Sequence, residues 1–207
     1  MDDSPLSTAA PSTPLELRHA ATDHAVIVVV PERRLLAIDG VGDPRGNDFR
    51  HATTILRAVS ERLRSRVPRD RTNDAPASAL EVAWWIHPEV PPDEMAASFA
   101  DRSSWHWQQM IEVPHFATDA DATAAIAEAG TGGPLVRLIH FIEGRAAQIL
   151  HVGGSGDEAN SLRKLFHVVA EAGVRPRGHL HQIVLADPDV VPANRARSIF
   201  RLPIEPR

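Results

Sequence analysis

Apolar and polar positions along this chain switch between two periods, and the switches mark its elements. Val26–Val30 is an unbroken β-branched run and predicts a strand. Pro31–Arg34 turns the chain into a second strand, Leu35–Ile38, which runs into Gly40-Val41-Gly42. Over residues 48–66 the apolar positions Phe49, Ala52, Leu56, Val59 and Leu63 recur at helical spacing. Asp43 and Asp48 near its start and Arg62, Arg64 and Arg66 at its end suit a helix dipole. Residues 67–79 form a polar loop. Leu80–His87 predicts a strand whose faces separate as Leu80, Val82, Trp84, Ile86 against Glu81, Ala83, Trp85, His87. A proline-rich connection, Pro88 to Ser104, leads to a strand at Trp105–Val113 closed by Pro114. Asp119–Ala129 then predicts a short alanine-rich helix, stopped by Gly130-Thr131-Gly132-Gly133-Pro134.

The order then repeats. Leu135–Ile142 predicts a strand, Glu143-Gly144-Arg145 a turn and Ala146–Val152 a strand ending in Gly153-Gly154-Ser155-Gly156. A helix carrying Leu162, Leu165, Phe166, Val169 and Ala172 is stopped by Gly173. His179–Ala186 and Ser198–Ile204 are the last strands, with Asp187-Pro188 turning between them. Superposing Gly40 on Gly153 carries Pro31 onto Gly144, Phe49 onto Leu162 and Leu56 onto Val169. This predicts an α+β fold of two tandem strand–helix–strand–strand modules, a diverged duplication, whose antiparallel sheets surround a central ligand cleft. The modules span about 25–114 and 134–207, joined by a helix at 118–130, after a disordered leader over 1–24 rich in proline, serine and threonine. If each module turns one sheet face to its own helix, the groove is expected on the faces turned away from the helices.

Composition narrows the function. Of 207 residues 43% are hydrophobic and 24% charged, which suits a soluble globular protein. The net charge of −5 disfavours a nucleic-acid partner. The absence of cysteine excludes disulfides, thiolate metal sites and thiol catalysis. No apolar run approaches the length of a membrane span and the first residues lack a basic, apolar leader, so a cytoplasmic protein without membrane contact is expected. No cofactor and no metal are expected.

The series Gly40-Val41-Gly42-Asp43-Pro44, Leu80-Glu81 with Trp84-Trp85, and Trp105-His106-Trp107-Gln108-Gln109-Met110-Ile111-Glu112-Val113-Pro114 resembles the GyrI-like small-molecule-binding domain. His151-Val152-Gly153 with Glu158, then Gly178-His179-Leu180-His181-Gln182-Ile183, Asp187-Pro188 and Arg201-Leu202-Pro203 continue the resemblance over residues 25–204. It implies a two-module fold around a cleft lined by aromatics and a few carboxylates. It also implies one of three roles: ligand sensing in a transcription factor, modulation of DNA gyrase, or hydrolysis of cyclopropane-bearing genotoxins. The double tryptophan and the length point to the free-standing branch. In hydrolase-like members the late strand carries a Glu and a Tyr where this chain has Gln182 and Val184, and Pro-Tyr where it has Gly154-Ser155. An amide exchanges no proton near neutral pH and Val offers no phenol. Binding is therefore expected over catalysis, with no catalytic residue assigned.

The expected ligand site comprises Glu81, Trp85, Trp105, Trp107, Met110 and Gln182, taking an amphipathic, aromatic or cationic molecule by stacking and charge. Trp84, with Leu80, Val82 and Ile86, reads as core; Trp105 and Trp107 share a face with Ile111 and suit either core or cleft. Met110 serves as adaptable filler. Glu81 suits a ligand cation or an acid, and Glu158 a helix N-terminus. His179 and His181 share a strand face, assigned with Ile183 and Leu185 to the helix-packed side as structural histidines rather than metal ligands. Gly40-x-Gly42-x₃-Gly46 is a weak phosphate-loop pattern because Asp43 and Asp48 crowd it. The arginines from Arg57 to Arg71, interleaved with Glu61 and Asp70, read as a solvated helix end. The alternative functions are hydrolysis of strained electrophilic toxins, with Glu81 or Glu158 as the acid, and a protein-interaction modulator of the gyrase-inhibitor type whose protein partner is unknown.

Overall fold

A computed structural model describes residues 21–66, 79–86, 102–130, 135–154, 156–187 and 190–207. The leader as far as residue 20, the polar loop through residue 78, the proline-rich connection through residue 101 and residues 131–134 lie outside them. The elements are β1 (Val26–Val30), β2 (Arg33–Val41), α1 (Asn47–Arg66), β3 (Leu80–Ile86), β4 (Trp105–Glu112), α2 (Asp119–Ala127), β5 (Arg137–Phe141), β6 (Gly144–Val152), α3 (Ala159–Glu171), β7 (Val174–Pro176), β8 (Leu180–Ala186) and β9 (Arg197–Pro206). The predicted elements are all present within a few residues. The three-residue β7, too short to leave a period, is the strand that pattern reading misses.

The strands pair antiparallel in the order β1-β6-β9-β8-β3-β4-β2-β5, with β7 beside β9, and the sheet curls into a half-barrel. The two modules contribute β6-β9-β8 and β3-β4-β2, which meet where β3 pairs with β8. The first strand of each half crosses over: β1 pairs with β6 and β5 with β2. Each outer edge of the sheet is thus a strand lent by the other half.

Helices cover one face. On α1, Ala52, Leu56, Val59 and Leu63 are buried against Leu36, Ile38, Val82, Trp84, Trp105, Trp107 and Ile111. On α3, Leu162, Leu165 and Val169 pack on Ala147, Ile149, Leu180, Phe200 and Leu202. Each fully buried aliphatic side chain stabilises by about 1.5–3 kcal/mol, which fixes both helices to their own module. Thr118 caps α2 through a reciprocal pair: Asp121 N donates to Thr118 Oγ1 (3.1 Å), and Thr118 N donates to Asp121 Oδ2 (2.9 Å).

The glycine series has a structural reason. Gly40 lies inside β2 opposite Trp107, and a Cβ there would sit 2.1 Å from that indole. Gly42 follows the last residue of β2 at φ +115°, where a side chain is strained.

Candidate functional site

A hollow of about 410 Å³ opens on the helix-bearing face, over the seam where β3 meets β8. Its floor is Leu80, Val82 and Trp84 from β3 with Gln182 and Val184 from β8. One wall is α1 with the turn before it, contributing Pro44, Arg45, Phe49, Arg50, Thr53, Thr54 and Arg57; Arg102 and Asp187 complete the lining. The volume suits a small organic ligand.

Period two decides the floor. Leu80, Val82 and Trp84 alternate toward the helices, and the register Val82↔Gln182 and Leu80↔Val184 sets both β8 residues beside them. Phe49, in the first turn of α1, stacks on Trp84 (centroids 5.6 Å, planes 5° apart) and meets Trp107 edge-on at 5.1 Å. Trp84 is only 3% exposed, so an incoming ring would meet the half-buried Phe49 over a larger area. Trp84 Nε1 donates to Gln182 Oε1 (3.2 Å), and Gln182 Nε2 donates to Ser198 Oγ (3.3 Å), so the amide orientation is held from both sides. Arg102 lies over the rings of Trp105 (5.3 Å) and Trp84 (6.0 Å) and donates to Glu158 Oε1 at 2.9 Å. Gly156 N donates to the other oxygen of Glu158 at 2.7 Å.

The opposite face closes on a network of charges. Arg33 donates to both oxygens of Glu81 (2.6 and 3.0 Å) and to Glu143 Oε2 (2.7 Å). Arg201 reaches Glu143 Oε2 at 3.3 Å and Gln148 Oε1 at 3.0 Å, and His181 Nδ1 lies 2.6 Å from Glu81 Oε1. Burial alone would raise the pKa of Glu81. The Arg33 charge and the hydrogen bonds from His181 and Arg33 outweigh it and hold the carboxyl well below its ordinary range. Burial likewise opposes the charge on Arg33, yet Glu81, Glu143 and Glu112 raise its pKa.

The six residues expected to form the ligand site do not converge. Gln182 lines the hollow. Trp105 and Trp107, 0% and 2% exposed, fill the core beneath α1 because their strand face is the helix-packed one. Met110 is buried on the other face with Leu35, Ala37 and Ala83. Glu81, 5% exposed, is occupied by Arg33 and His181. Trp85 is half-buried on that same face, stacked between His179 (4.5 Å) and His106 (5.6 Å). On the faces away from the helices Glu81 and Met110 are buried and Glu81 is paired with Arg33 and His181, whereas the hollow described above lies on the helix side. Trp84, read as core, is both core and floor.

His179 and His181 also change sides. They share the face of Glu81 and Trp85, because Leu180 is the residue that packs into the α3 core. Among the described residues no three His, Asp or Glu side chains are grouped to hold a metal. No described helix is long and apolar enough to cross a membrane.

Sequence reading missed Phe49, Arg50, Thr53, Thr54 and Arg57 as lining. Positions 50, 53, 54 and 57 form one stripe at helical spacing, a signal visible beside the apolar stripe, of which the sequence reading assigns only Arg57, to a solvated helix end.

No protein-family model and no curated protein matches the chain. Among solved structures it is similar to an uncharacterized conserved protein from Listeria innocua, at 25% identity over 92% of this chain and 96% of that one, with a TM-score of 0.77. A structure described as a hydrolase from Listeria innocua is similar at 25% identity and the same coverage, with a TM-score of 0.74. The C-terminal domain of EcmrR shares the fold at 10% identity, over 88% of this chain and 98% of that one, with a TM-score of 0.58.

Proposed function

We propose that this chain is a GyrI-like small-molecule-binding domain and that it binds an aromatic or amphipathic molecule over the β3–β8 seam. The observation that carries the reading is the hollow itself. It is a space of ligand size between α1 and the sheet, with Phe49 on the wall stacked against Trp84 of the floor and a doubly held Gln182 amide beside them. That is the usual make-up of a small-molecule site, an apolar body with a few oriented polar groups. The site residues are then Phe49, Trp84, Gln182 and Val184, in place of the set expected from sequence. Sequestration of a toxic compound is the role that fits a binder of this kind.

The test is titration with two flat fluorescent probes, anilinonaphthalene sulfonate and ethidium, on the wild type and on Val184→Phe, which fills the floor. Saturable one-to-one binding of either probe that Val184→Phe weakens at least about tenfold supports the site. Failure of both probes to bind at micromolar concentrations removes it.

Hydrolysis is a second reading, favoured by the likeness to the Listeria innocua hydrolase. Glu81 and Glu158 are held in ion pairs and do not line the hollow; the carboxylate that lines it among the described residues is Asp187. Water adding across a strained cyclopropane would need Asp187 to place the proton. Turnover of a cyclopropane-bearing alkylator that Asp187→Asn abolishes would establish it, and absence of turnover would leave binding alone.

A further inference from the structure

We infer that the hollow selects an aromatic anion, a flat ring system bearing a carboxylate, sulfonate or phosphate group, rather than a cation. This rests on the proposed binding site and specifies its ligand. Among the described residues, the charges lining the hollow are four arginines against one carboxylate, Asp187, in a protein whose net charge is −5. Two of the arginines are balanced nearby, Arg45 by Asp43 (3.0 Å) and Arg102 by Glu158 (2.9 Å). The other two are not. Arg50 donates to the carbonyl of Arg45 and to the amide oxygen of Asn47 (2.8 Å), neither of which carries charge. Arg57 has no ion pair among the described residues.

Their placement matches the floor. Arg50 and Arg57 stand two turns apart on α1, on the stripe that also holds Thr53 and Thr54, and all four line the hollow above Phe49 and Trp84. A ring lying on Phe49 would carry an acidic substituent to the α1 wall, where a guanidinium offers paired donors matched to a carboxylate or sulfonate. A cation in the same place would meet two unbalanced positive charges, and Gln182 supplies no carboxylate to offset them. The aromatic floor attracts flat molecules of either sign; the helix wall supplies the discrimination.

The experiment compares anilinonaphthalene sulfonate with ethidium on the wild type, on Arg50→Gln/Arg57→Gln and on Val184→Phe, at low and high salt. Both arginines are exposed, so their replacement leaves the fold intact, which a thermal melt verifies. The expected result is tighter wild-type binding of the sulfonate, a loss of at least about tenfold in the double variant, and a loss of salt dependence with it. Ethidium affinity is unchanged or rises in that variant. Tighter binding of ethidium than of the sulfonate, with both reduced by Val184→Phe, overturns the anion inference and leaves the binding site standing. Sulfonate affinity that the double variant does not alter overturns it too. If neither probe binds, the site and its selectivity fall together.

Discussion

Glu81 is the residue whose role differs most between the chain pattern and the folded molecule, and Glu81→Gln separates the two. In the structure its oxygens accept from Arg33 at 2.6 and 3.0 Å and lie 2.6 Å from His181 Nδ1, all on the face turned away from the hollow. An amide keeps the shape, removes the charge and offers one accepting oxygen in place of two. Stripping one partner from a buried ion pair costs about 3–5 kcal/mol, because the survivor is left charged and dry. Arg33 retains Glu143 at 2.7 Å, so the lower end of that range, about 3 kcal/mol, is expected. With a urea slope of about 2–3 kcal/mol per molar for a domain of this size, the unfolding midpoint falls by roughly 1 M at pH 7. Tryptophan emission reports the transition, since Trp84, Trp105 and Trp107 are buried in one core.

Acidity supplies the second half of the test. The folded pKa of Glu81 is depressed, so its stabilisation is complete above the unfolded glutamate value of 4.5 and is lost as pH falls through the folded value. The gap between wild type and Glu81→Gln therefore narrows below about pH 4.5. Affinity for an aromatic probe stays unchanged throughout, because Glu81 does not line the hollow. An unshifted midpoint at pH 7, a gap that persists undiminished in acid, or a loss of probe affinity without loss of stability would each refute the reasoning.

Three further outcomes follow from single contacts. Gly40→Ala sets a methyl 2.1 Å from the Trp107 ring and should destabilise by about 3 kcal/mol, the upper range for overpacking, seen as a lower thermal midpoint; an unchanged midpoint would show that the indole can move aside. Thr118→Ala removes the cap of α2 and should cost about 1 kcal/mol in a urea titration, with no effect on probe binding. Glu158→Gln loosens Arg102 from Trp84 and Trp105, and a shift in tryptophan emission should accompany it; identical spectra would mean that Arg102 keeps its place over the rings without this ion pair.

The period of the apolar positions specified the elements of this chain, since helices and strands each bury a stripe whose spacing is a property of the local backbone. The order of elements likewise announced two modules, and the lack of cysteine removed whole classes of chemistry. Tertiary structure decided the rest. A strand such as β3 is buried on both faces, so alternation divides Leu80, Val82 and Trp84 from Glu81, Ala83 and Trp85 without saying which set meets a ligand. The answer depended on pairings distant in sequence. Arg33 finds Glu81 and Glu143 only after β2, β3 and the turn into β6 are assembled, and that pairing occupies the carboxylate expected to meet a ligand. The crossing of β1 to β6 and β5 to β2 could not be read locally, because an edge strand is compatible with any neighbour offering a free row of hydrogen bonds. The hollow itself arises where β8 of one half meets β3 of the other beneath α1, a junction that exists only once both halves have folded together.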